Sequence, residues 1–318
     1  MNVLFLNHKI KECGVYQYGI RLFEILKKSN KFNYIYNEID SYDEYRNIIN
    51  TGNFVAIFYN YHCMTMKWLD FNNIEKKIIS IGVQHDLEES NIFKIVVRLD
   101  TTLPEFSPLK YNIPRPIYEN VDEMLNGYNI KSDEFKYFLE YRETSNIPIF
   151  GSFGFARNGK GFDKIIELVN HYYDEAIIKF LIPTAHFLDT SLVNQIMNDC
   201  YLINRKPGVK LMITNEFVEN EDILYFLKSN DMNIFMYDGS FPNSGVSSVI
   251  DYALSVKKPL AITDSHWFRH IYDDDICVTK HHIDYIFEKS MTLVDKMCNL
   301  FSNENLINKI DGIIESNL

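Results

Sequence analysis

The chain alternates short apolar runs with segments of helical periodicity almost from end to end. The predicted strands are Val3–Leu6, Phe54–Tyr59, Lys77–Val83, Ile95–Leu99, Pro148–Phe153, Ile177–Ile182, Val209–Thr214, Ile234–Tyr237, Pro259–Thr263 and Ile276–Thr279. The predicted helices are Val15–Lys28, Tyr42–Asn50, Gly161–Tyr173, Thr190–Cys200, Asn220–Lys228, Ser244–Val256, His282–Leu300 and Glu304–Glu315. Strands that are apolar throughout and separated by helices are typical of parallel sheets covered on both faces, so the pattern predicts an α/β protein.

The alternation breaks near the middle of the chain. Three prolines, Pro108, Pro114 and Pro116, interrupt regular structure, and a polar, charged segment follows before a new strand begins at Ile147. Each half starts alike, with a strand, a glycine-containing loop and a helix. We therefore expect two doubly wound, Rossmann-like domains, 1–145 and 146–318, and the final helix could pack back on the first of them.

Composition narrows the class of protein. The 318 residues are 46% hydrophobic and 14% aromatic, which is enough for two cores, and the formal net charge of -11 argues against a general nucleic-acid or anionic-membrane binder. The five cysteines are scattered, which favours reduced thiols and a cytoplasmic protein. The N-terminal apolar run has strand length and lacks the flanks of a signal peptide, and no segment reaches the roughly 18 apolar residues of a transmembrane helix.

A glycine loop follows the first strand, in NHKIKECGVYQYGIRLFEIL. In a doubly wound sheet, loops at the carboxyl ends of strands form the ligand crevice, and a helix that starts at Gly14 offers free N–H groups to an anion or to hydroxyls. Gly19 would allow close approach of another group. The alternative is that Gly14 only makes a turn. The loop lacks the GxGxxG order of a nicotinamide site.

A second glycine-rich loop follows the strand in IPIFGSFGFARNGKGFDKIIELV. Small residues would admit a phosphate, the helix start would favour negative charge, and Arg157 and Lys160 would neutralise it. The sequence therefore favours a diphosphate site, although a turn with solvated cations is the simpler alternative. Because Gly161 follows Lys160, the loop does not have the order of a phosphate-binding NTPase loop.

A serine-rich helix is predicted in FPNSGVSSVIDYALSVKKPLAIT. Ser244 is a good N-cap, and short serine side chains along one face would let a ligand lie against the helix. Asp251, on the same face, could accept hydrogen bonds from sugar or ribose hydroxyls. Alternatively, the serines pack closely against another segment of the protein.

These three motifs together resemble the GT-B glycosyltransferases, and within them the retaining family 4 that includes sucrose and glycogen synthases. The resemblance covers the whole chain in order and implies two domains facing each other across a cleft, with a nucleoside-diphosphate sugar as co-substrate and no metal or other cofactor. It implies that Arg157 and Lys160 hold the diphosphate and that Asp251 takes the ribose hydroxyls. Asn243, with the backbone of Ser244, Gly245 and Val246, would contact the sugar and the distal phosphate. The family's first glutamate of the E-x7-E element is replaced in this chain by Asn243, and its usual arginine by Phe155.

Candidate catalytic groups follow strands of the first half. His62, and His85 with Asp86, come after predicted strands on the side where the family binds its acceptor, a glycan, lipid-linked or other hydroxyl compound. Imidazole and carboxylate both suit general-base chemistry, but a histidine after a strand is often only structural. Arg98 and Asp100 are further candidates by position. Two alternatives to glycosyl transfer remain open: a binding protein of the same fold without catalysis, and a GT-B-type epimerase.

Overall fold

The strands of the chain form two separate parallel sheets in a computed structural model. The structure describes residues 1–11, 13–70, 72–85, 92–106, 108–130, 132–142, 146–184, 190–239 and 245–318. In the first part of the chain the elements are β1 (Asn2–Asn7), α1 (Gly14–Leu26), β2 (Asn33–Glu38), α2 (Tyr42–Thr51), β3 (Ala56–Tyr59), β4 (Ile79–Gln84), β5 (Ile95–Arg98) and β6 (Lys110–Asn112). They continue with α3 (Val121–Leu125), α4 (Asp133–Glu140), β7 (Ile149–Phe153), α5 (Phe162–Tyr172), β8 (Ala176–Leu181), α6 (Thr190–Ile203), β9 (Val209–Thr214), α7 (Asn220–Ser229), β10 (Met232–Phe235), α8 (Val249–Ser255), β11 (Leu260–Ile262), α9 (Ile283–Leu300) and α10 (Asn303–Glu315).

The first sheet has the order β2-β1-β3-β4-β5-β6, and each neighbouring pair of strands is parallel. Successive side chains of β1 point to opposite faces, so Val3 and Phe5 join one buried cluster while Leu4 and Leu6 join another. Both faces of the sheet are therefore covered, which explains why the central strands are apolar at most positions. The predicted α/β class with doubly wound parallel sheets is confirmed.

Two strands of the first sheet, β2 and β6, are absent from the predicted set. In β2, with the sequence NYIYNE, only Tyr34 is buried, and β6 has three residues. Both strands lie at the edges of the sheet. An edge strand needs fewer apolar residues than a central one, so a search for apolar runs passes over it.

The second sheet has the order β11-β10-β7-β8-β9 and is also parallel throughout. The strand predicted at Ile276–Thr279 is wrong. Cys277 forms a single bridge with Ile262, and Asp274–Ile276 is a short 3₁₀ turn that the side chain of Asp273 caps. The aspartates favour this local turn over continued pairing with β11.

The serine-rich helix predicted at Ser244–Val256 begins later than expected, at Val249. Residues 240–244 lie outside the described part of the chain, and the next three residues are not helical. The backbone N–H of Ser247 donates to the carbonyl of Trp267 at 2.9 Å, which ties this segment to the loop after β11. Ser248 occupies the N-cap position without a capping hydrogen bond from its side chain.

The segment between the sheets contains two short helices, α3 and α4, that the sequence pattern did not predict. Phe135, Phe138 and Leu139 of α4 are buried, and the fully buried Lys179 of β8 donates from its Nζ to the Leu139 carbonyl at 2.8 Å. Burial, followed by the nearby Arg142 guanidinium, lowers the pKa of Lys179 to about 8. The contact holds α4 against the strand.

The chain divides into two compact units. The first consists of Met1–Pro116, Asn243–Val246 and Leu300–Leu318, and the second of Ile117–Pro242 and Ser247–Asn299. The predicted domain ranges, 1–145 and 146–318, each contain one complete sheet. The segment that connects the sheets, from Ile117 onward, belongs to the second unit. Of the helices that the structure describes, none is long and apolar enough to span a bilayer.

The last helix, α10, belongs to the first unit and is anchored there by a buried carboxylate. Asp311 is 1% exposed and accepts hydrogen bonds from the Tyr34 hydroxyl at 2.8 Å and from the Ser29 hydroxyl at 2.5 Å. The apolar side of the helix, including Leu306 and Ile310, joins the core of the first unit. Burial, and then the charge of Asp311, raise the pKa of the Tyr34 hydroxyl.

We expect Asp311→Ala to lower the free energy of unfolding by about 1–3 kcal/mol, because the two hydroxyls would stay buried without their acceptor. Lys309→Ala is the matched control, since it removes an exposed ion pair with Glu105 from the same helix and should change stability by less than about 1 kcal/mol. Urea titration of the two variants measures the difference. Equal losses would contradict the anchoring role of Asp311.

Candidate functional site

The second sheet has a topological switch point at β7. The chain continues from β7 to β8 and β9 on one side, and later to β10 and β11 on the other. The loops that leave the carboxyl ends of β7 and β10 therefore run apart and leave a crevice, which is where ligands bind in open α/β sheets. The loop after β7 is the predicted glycine-rich loop.

Glycines let this loop fold closely against the end of β10. Gly159 and Gly161 have positive φ angles of 82° and 67°, in the left-handed region that favours glycine. A Cβ on Gly161 would lie 1.9 Å from the carbonyl oxygen of Met236. The Asp238 N–H also donates to the Gly159 carbonyl at 2.9 Å. Loop and strand end thus form one small unit of structure.

Lys160 lies over aromatic rings at this point. Its Nζ is 3.7 Å from the centroid of the Tyr237 ring and 5.6 Å from that of Trp267. Burial, and then the positive charge of Arg157, lower the pKa of Lys160 to about 7. The ring faces attract a cation, but they replace its hydration only in part. An anion that arrived at this position would restore the charged form of the lysine.

Arg157 is exposed on the same loop, beside a cavity of about 440 Å³. The cavity is lined by the loop residues Arg157, Asn158, Gly159, Lys160 and Gly161, by Phe162 and Asp163, and by Ile196, Asp199, Cys200, Leu202 and Ile203 of α6. Its volume is in the range of small-molecule sites. The structure therefore brings the two predicted cations to one cavity.

The start of α8 meets the same loop at Gly154. A Cβ on Gly154 would lie 3.0 Å from the Tyr237 hydroxyl, 3.9 Å from Cδ of Lys160 and 3.9 Å from Cγ1 of Val249. The first turn of α8 and the lysine thus lie close together in the second unit. A side chain at this glycine would therefore press on the Tyr237 hydroxyl.

The other predicted donor-binding residues have different settings. Asp251 lies in the first turn of α8 and is 1% exposed. Val246 is buried and Gly245 is half-buried. Asn243 and Ser244 lie outside the described residues, so the structure does not address their predicted roles.

The first sheet has its own switch point, between β1 and β3, and polar residues collect at the strand ends there. Asn7 ends β1, Asn60 follows β3 and His85 follows β4. Nε2 of His85 lies 2.8 Å from Oδ1 of Asn60, and Nδ2 of Asn60 donates to Oδ1 of Asn7 at 2.8 Å. Both asparagines are fully buried. Sequence reasoning missed them, although a polar residue directly after an apolar strand is the signal that singled out His85.

The environment of His85 favours the neutral imidazole. Burial, followed by the charges of Arg115, His62 and His8, lowers the pKa of His85 well below its usual range. The ring also meets the Tyr18 ring edge-on, with centroids 4.9 Å apart. A neutral imidazole can accept a hydrogen bond from a hydroxyl.

The remaining first-unit candidates are more varied. His62 is half-buried, with its ring 6.3 Å from that of His8, and Asp86 lies outside the described residues. Gly14 is exposed at the start of α1, and no atom lies within 4 Å of the position of a Cβ there. The carboxylate of Asp100 accepts hydrogen bonds from the N–H and from the hydroxyl of Thr102, which is the pattern of a local turn.

We expect Gly19→Ala to destabilise the protein by about 1–3 kcal/mol, because a Cβ there would lie 2.3 Å from Nδ2 of Asn60 and 2.7 Å from Nδ2 of Asn7. Gly312→Ala, also inside a helix but with no atom within 4 Å of the new Cβ, should instead stabilise it by up to about 1 kcal/mol. Urea denaturation of the pair isolates the steric effect from helix propensity. Stabilisation by both substitutions would contradict the close approach of the asparagines.

We also expect Lys160 to make stability depend on pH. Its folded-state pKa of about 7 lies below the ordinary 10.5, so between these values the unfolded chain binds more protons and stability rises with pH. Below pH 7 both states carry the charge and the unfavourable effect of burying it is fully present. Lys160→Met should therefore gain most stability relative to the native protein at pH 7 and below, and less at pH 9. Lys206→Met is the control, because Lys206 lies before β9, at the amino ends of the strands. Parallel curves of stability against pH for the native and Lys160→Met proteins would contradict the prediction.

Comparisons with known proteins support the fold. No protein-family model matches the chain, and no curated protein matches it in sequence. Among solved structures, HepE from Anabaena in complex with UDP-glucose is similar with a TM-score of 0.66 at 12% identity, covering 99% of this chain and 100% of that one. A glycosyltransferase from Rickettsia africae gives 0.64 at 15% identity, covering 99% and 98%. Sucrose-phosphate synthase from Thermosynechococcus elongatus gives 0.68 at 10% identity, also covering 99% and 98%.

These likenesses extend over the whole chain, while the sequence identities are low. They establish the architecture that the motifs implied, with two parallel-sheet units in one chain. The chain has the GT-B fold.

Proposed function

We propose that the protein is a glycosyltransferase that moves a sugar from a nucleoside-diphosphate donor to an acceptor hydroxyl. The observation that supports this most directly is the position of Lys160, a poorly solvated cation on a glycine loop at the switch point of the second sheet. A glycine loop with two cations suits a diphosphate better than a neutral ligand. HepE was determined with UDP-glucose, so a uridine diphosphate sugar is the first donor to test.

Departure of the diphosphate is the step in which negative charge develops. Lys160 lies where burial strengthens its interaction with such charge, and Arg157 on the same loop adds a second positive group. The two cations would stabilise the leaving group without a metal ion, and we propose transfer with retention of the anomeric configuration. Activity that persists in EDTA would support the first part of this proposal, and NMR of the product anomer tests the second.

Further donor contacts follow from the resemblance to the GT-B glycosyltransferases. Asp251 would take the ribose hydroxyls. Asn243 and the backbone of 244–246 would take the sugar and the distal phosphate, and Gly14 would leave space for the donor at the start of α1. On the first unit, His85, His62 and Asp86 would serve the acceptor, which we propose is a glycan, a lipid-linked sugar or another hydroxyl compound.

A second candidate function is binding of a nucleotide sugar without transfer. The observation that favours it is Asn243, an amide at the position where the family has a carboxylate. The two functions share the diphosphate site and differ in turnover. Release of UDP from UDP-glucose, with or without an acceptor, therefore separates them.

We expect UDP to raise the melting temperature by a few degrees at about 100 times its dissociation constant, which corresponds to about 2.7 kcal/mol of stabilisation. Lys160→Ala should weaken UDP binding by about tenfold to a hundredfold, because a buried charge-assisted contact is lost. Calorimetric titration with UDP, GDP, ADP and CMP measures affinity and base preference together.

Lys206→Ala is the matched control for this experiment, because it removes the same charge from the amino edge of the same sheet, where Lys206 pairs with Asp174. It should bind UDP as the native protein does. Failure of all the nucleotides to bind would overturn the proposed function, and equal weakening by both lysine variants would remove Lys160 from the site.

A further inference from the structure

A buried pair of asparagines, Asn7 and Asn60, lies beside His85 in the first unit. Asn60 is 0% exposed and uses its Nδ2 twice, donating to Oδ1 of Asn7 at 2.8 Å and to the carbonyl of Val15 at 2.7 Å. Both partners are acceptors at these contacts. The amide nitrogen of Asn60 must therefore face them, and its oxygen must face His85.

The orientation of Asn7 is fixed as firmly by backbone groups. Its Oδ1 accepts from the N–H of His8 at 3.0 Å, and its Nδ2 donates to the carbonyl of Tyr16 at 3.1 Å. If either side-chain amide were rotated by 180°, its oxygen would face a main-chain carbonyl oxygen. At Asn7, the NH₂ group would also face the N–H of His8. Both asparagines are thus held by main-chain groups, the N–H of His8 just after β1 and two carbonyls of α1, and these groups cannot reverse their roles.

This arrangement decides which ring nitrogen of His85 carries the proton. Nε2 lies 2.8 Å from Oδ1 of Asn60, an atom that can only accept. Nε2 must therefore be the donor, and in the neutral ring the lone pair lies on Nδ1. We propose that Asn60 is a positioning residue that holds His85 as the Nε2–H tautomer, so that Nδ1 accepts a hydrogen bond from a substrate hydroxyl.

Electrostatics keeps the ring neutral. Among the residues that the structure describes, Arg115, His62 and His8 are the charged or titratable groups that act on His85, and together with burial they lower its pKa. The guanidinium of Arg115 lies 5.3 Å from the centroid of the Tyr18 ring, which in turn meets His85 edge-on. Asn60 supplies an oxygen without a negative charge, so it orients the ring and does not favour the imidazolium as an aspartate would.

The substrate part of this inference rests on the proposed function, whereas the tautomer does not. The first test is therefore NMR of ¹⁵N-labelled histidine rings in the full chain, with His85 assigned by His85→Gln. We expect signals of a protonated Nε2 and an unprotonated Nδ1 that do not change between pH 6 and 8. A protonated Nδ1, or a doubly protonated ring at pH 7, would overturn the proposal.

Substitution of Asn60 gives the second test. Asn60→Asp should raise the pKa of His85 by about 1–3 pH units, because a carboxylate then faces Nε2. Asn47→Asp, exposed on α2, is the matched control and should leave the His85 signals unchanged. An unchanged His85 pKa in a folded Asn60→Asp protein would contradict the proposal, and the native tautomer measurement decides the matter if that variant does not fold.

Kinetics then links the tautomer to function. If UDP binds and a sugar is transferred, Asn60→Asp should lower kcat at neutral pH and shift the pH–rate profile, while UDP affinity stays within about twofold. If the native protein does not bind UDP, the proposed function alone is contradicted. Normal UDP binding with an unshifted pH–rate profile would be a failure of the positioning role of Asn60.

Discussion

The charge at the glycine loop of the second unit depends on one interaction, the Lys160 ammonium placed over aromatic rings. Burial and Arg157, the two causes that set the pKa of Lys160, both disfavour its charge. The ring faces of Tyr237 and Trp267 offset part of this cost, and they do so only because glycines let the loop lie against β10. The site is thus built to gain from an arriving anion, since the anion provides the stabilisation that the fold withholds.

The two units carry different polar groups at the switch points of their sheets. Each has a parallel sheet with a switch point, and each gathers polar groups at the carboxyl ends of the strands beside it. The second unit places cations there, which suits an anionic ligand. The first places neutral amides and the imidazole of His85 there, with Asn7, Asn60 and His85 joined by hydrogen bonds. Such groups suit hydroxyls, which need directed donors and acceptors and no net charge.

The central strands, most helices and the glycine loop with Lys160 could be predicted because each is specified by its own residues. Apolar runs buried on both faces identify β1, β3, β4, β7 and β8 directly. The edge strand β2 and the short helices α3 and α4 escaped because their burial comes from neighbours elsewhere in the chain. The start of α8 was wrong for the same reason: Ser244 is a good local cap, but the N–H of Ser247 is taken by Trp267, distant in sequence. Likewise, no residue near Lys160 in the sequence predicts its contact with the Tyr237 ring.

In the proposed function, the overall charge of the chain requires the site to act on its ligand at short range. A net charge of -11 repels anionic nucleotides at long distance, so diffusion toward the protein is not assisted by its field. The Debye length at physiological salt is about 8 Å, so the charges nearest the loop, Arg157 and Lys160 with Asp163 and Asp199 of the same cavity, act more strongly there than remote carboxylates do. A desolvated lysine interacts more strongly with a contacting phosphate than a hydrated one does, because water screens the pair less. In the proposed function, recognition of an anion by this acidic protein would therefore depend on the partly buried ammonium group of Lys160, which the glycine loop holds over the Tyr237 ring.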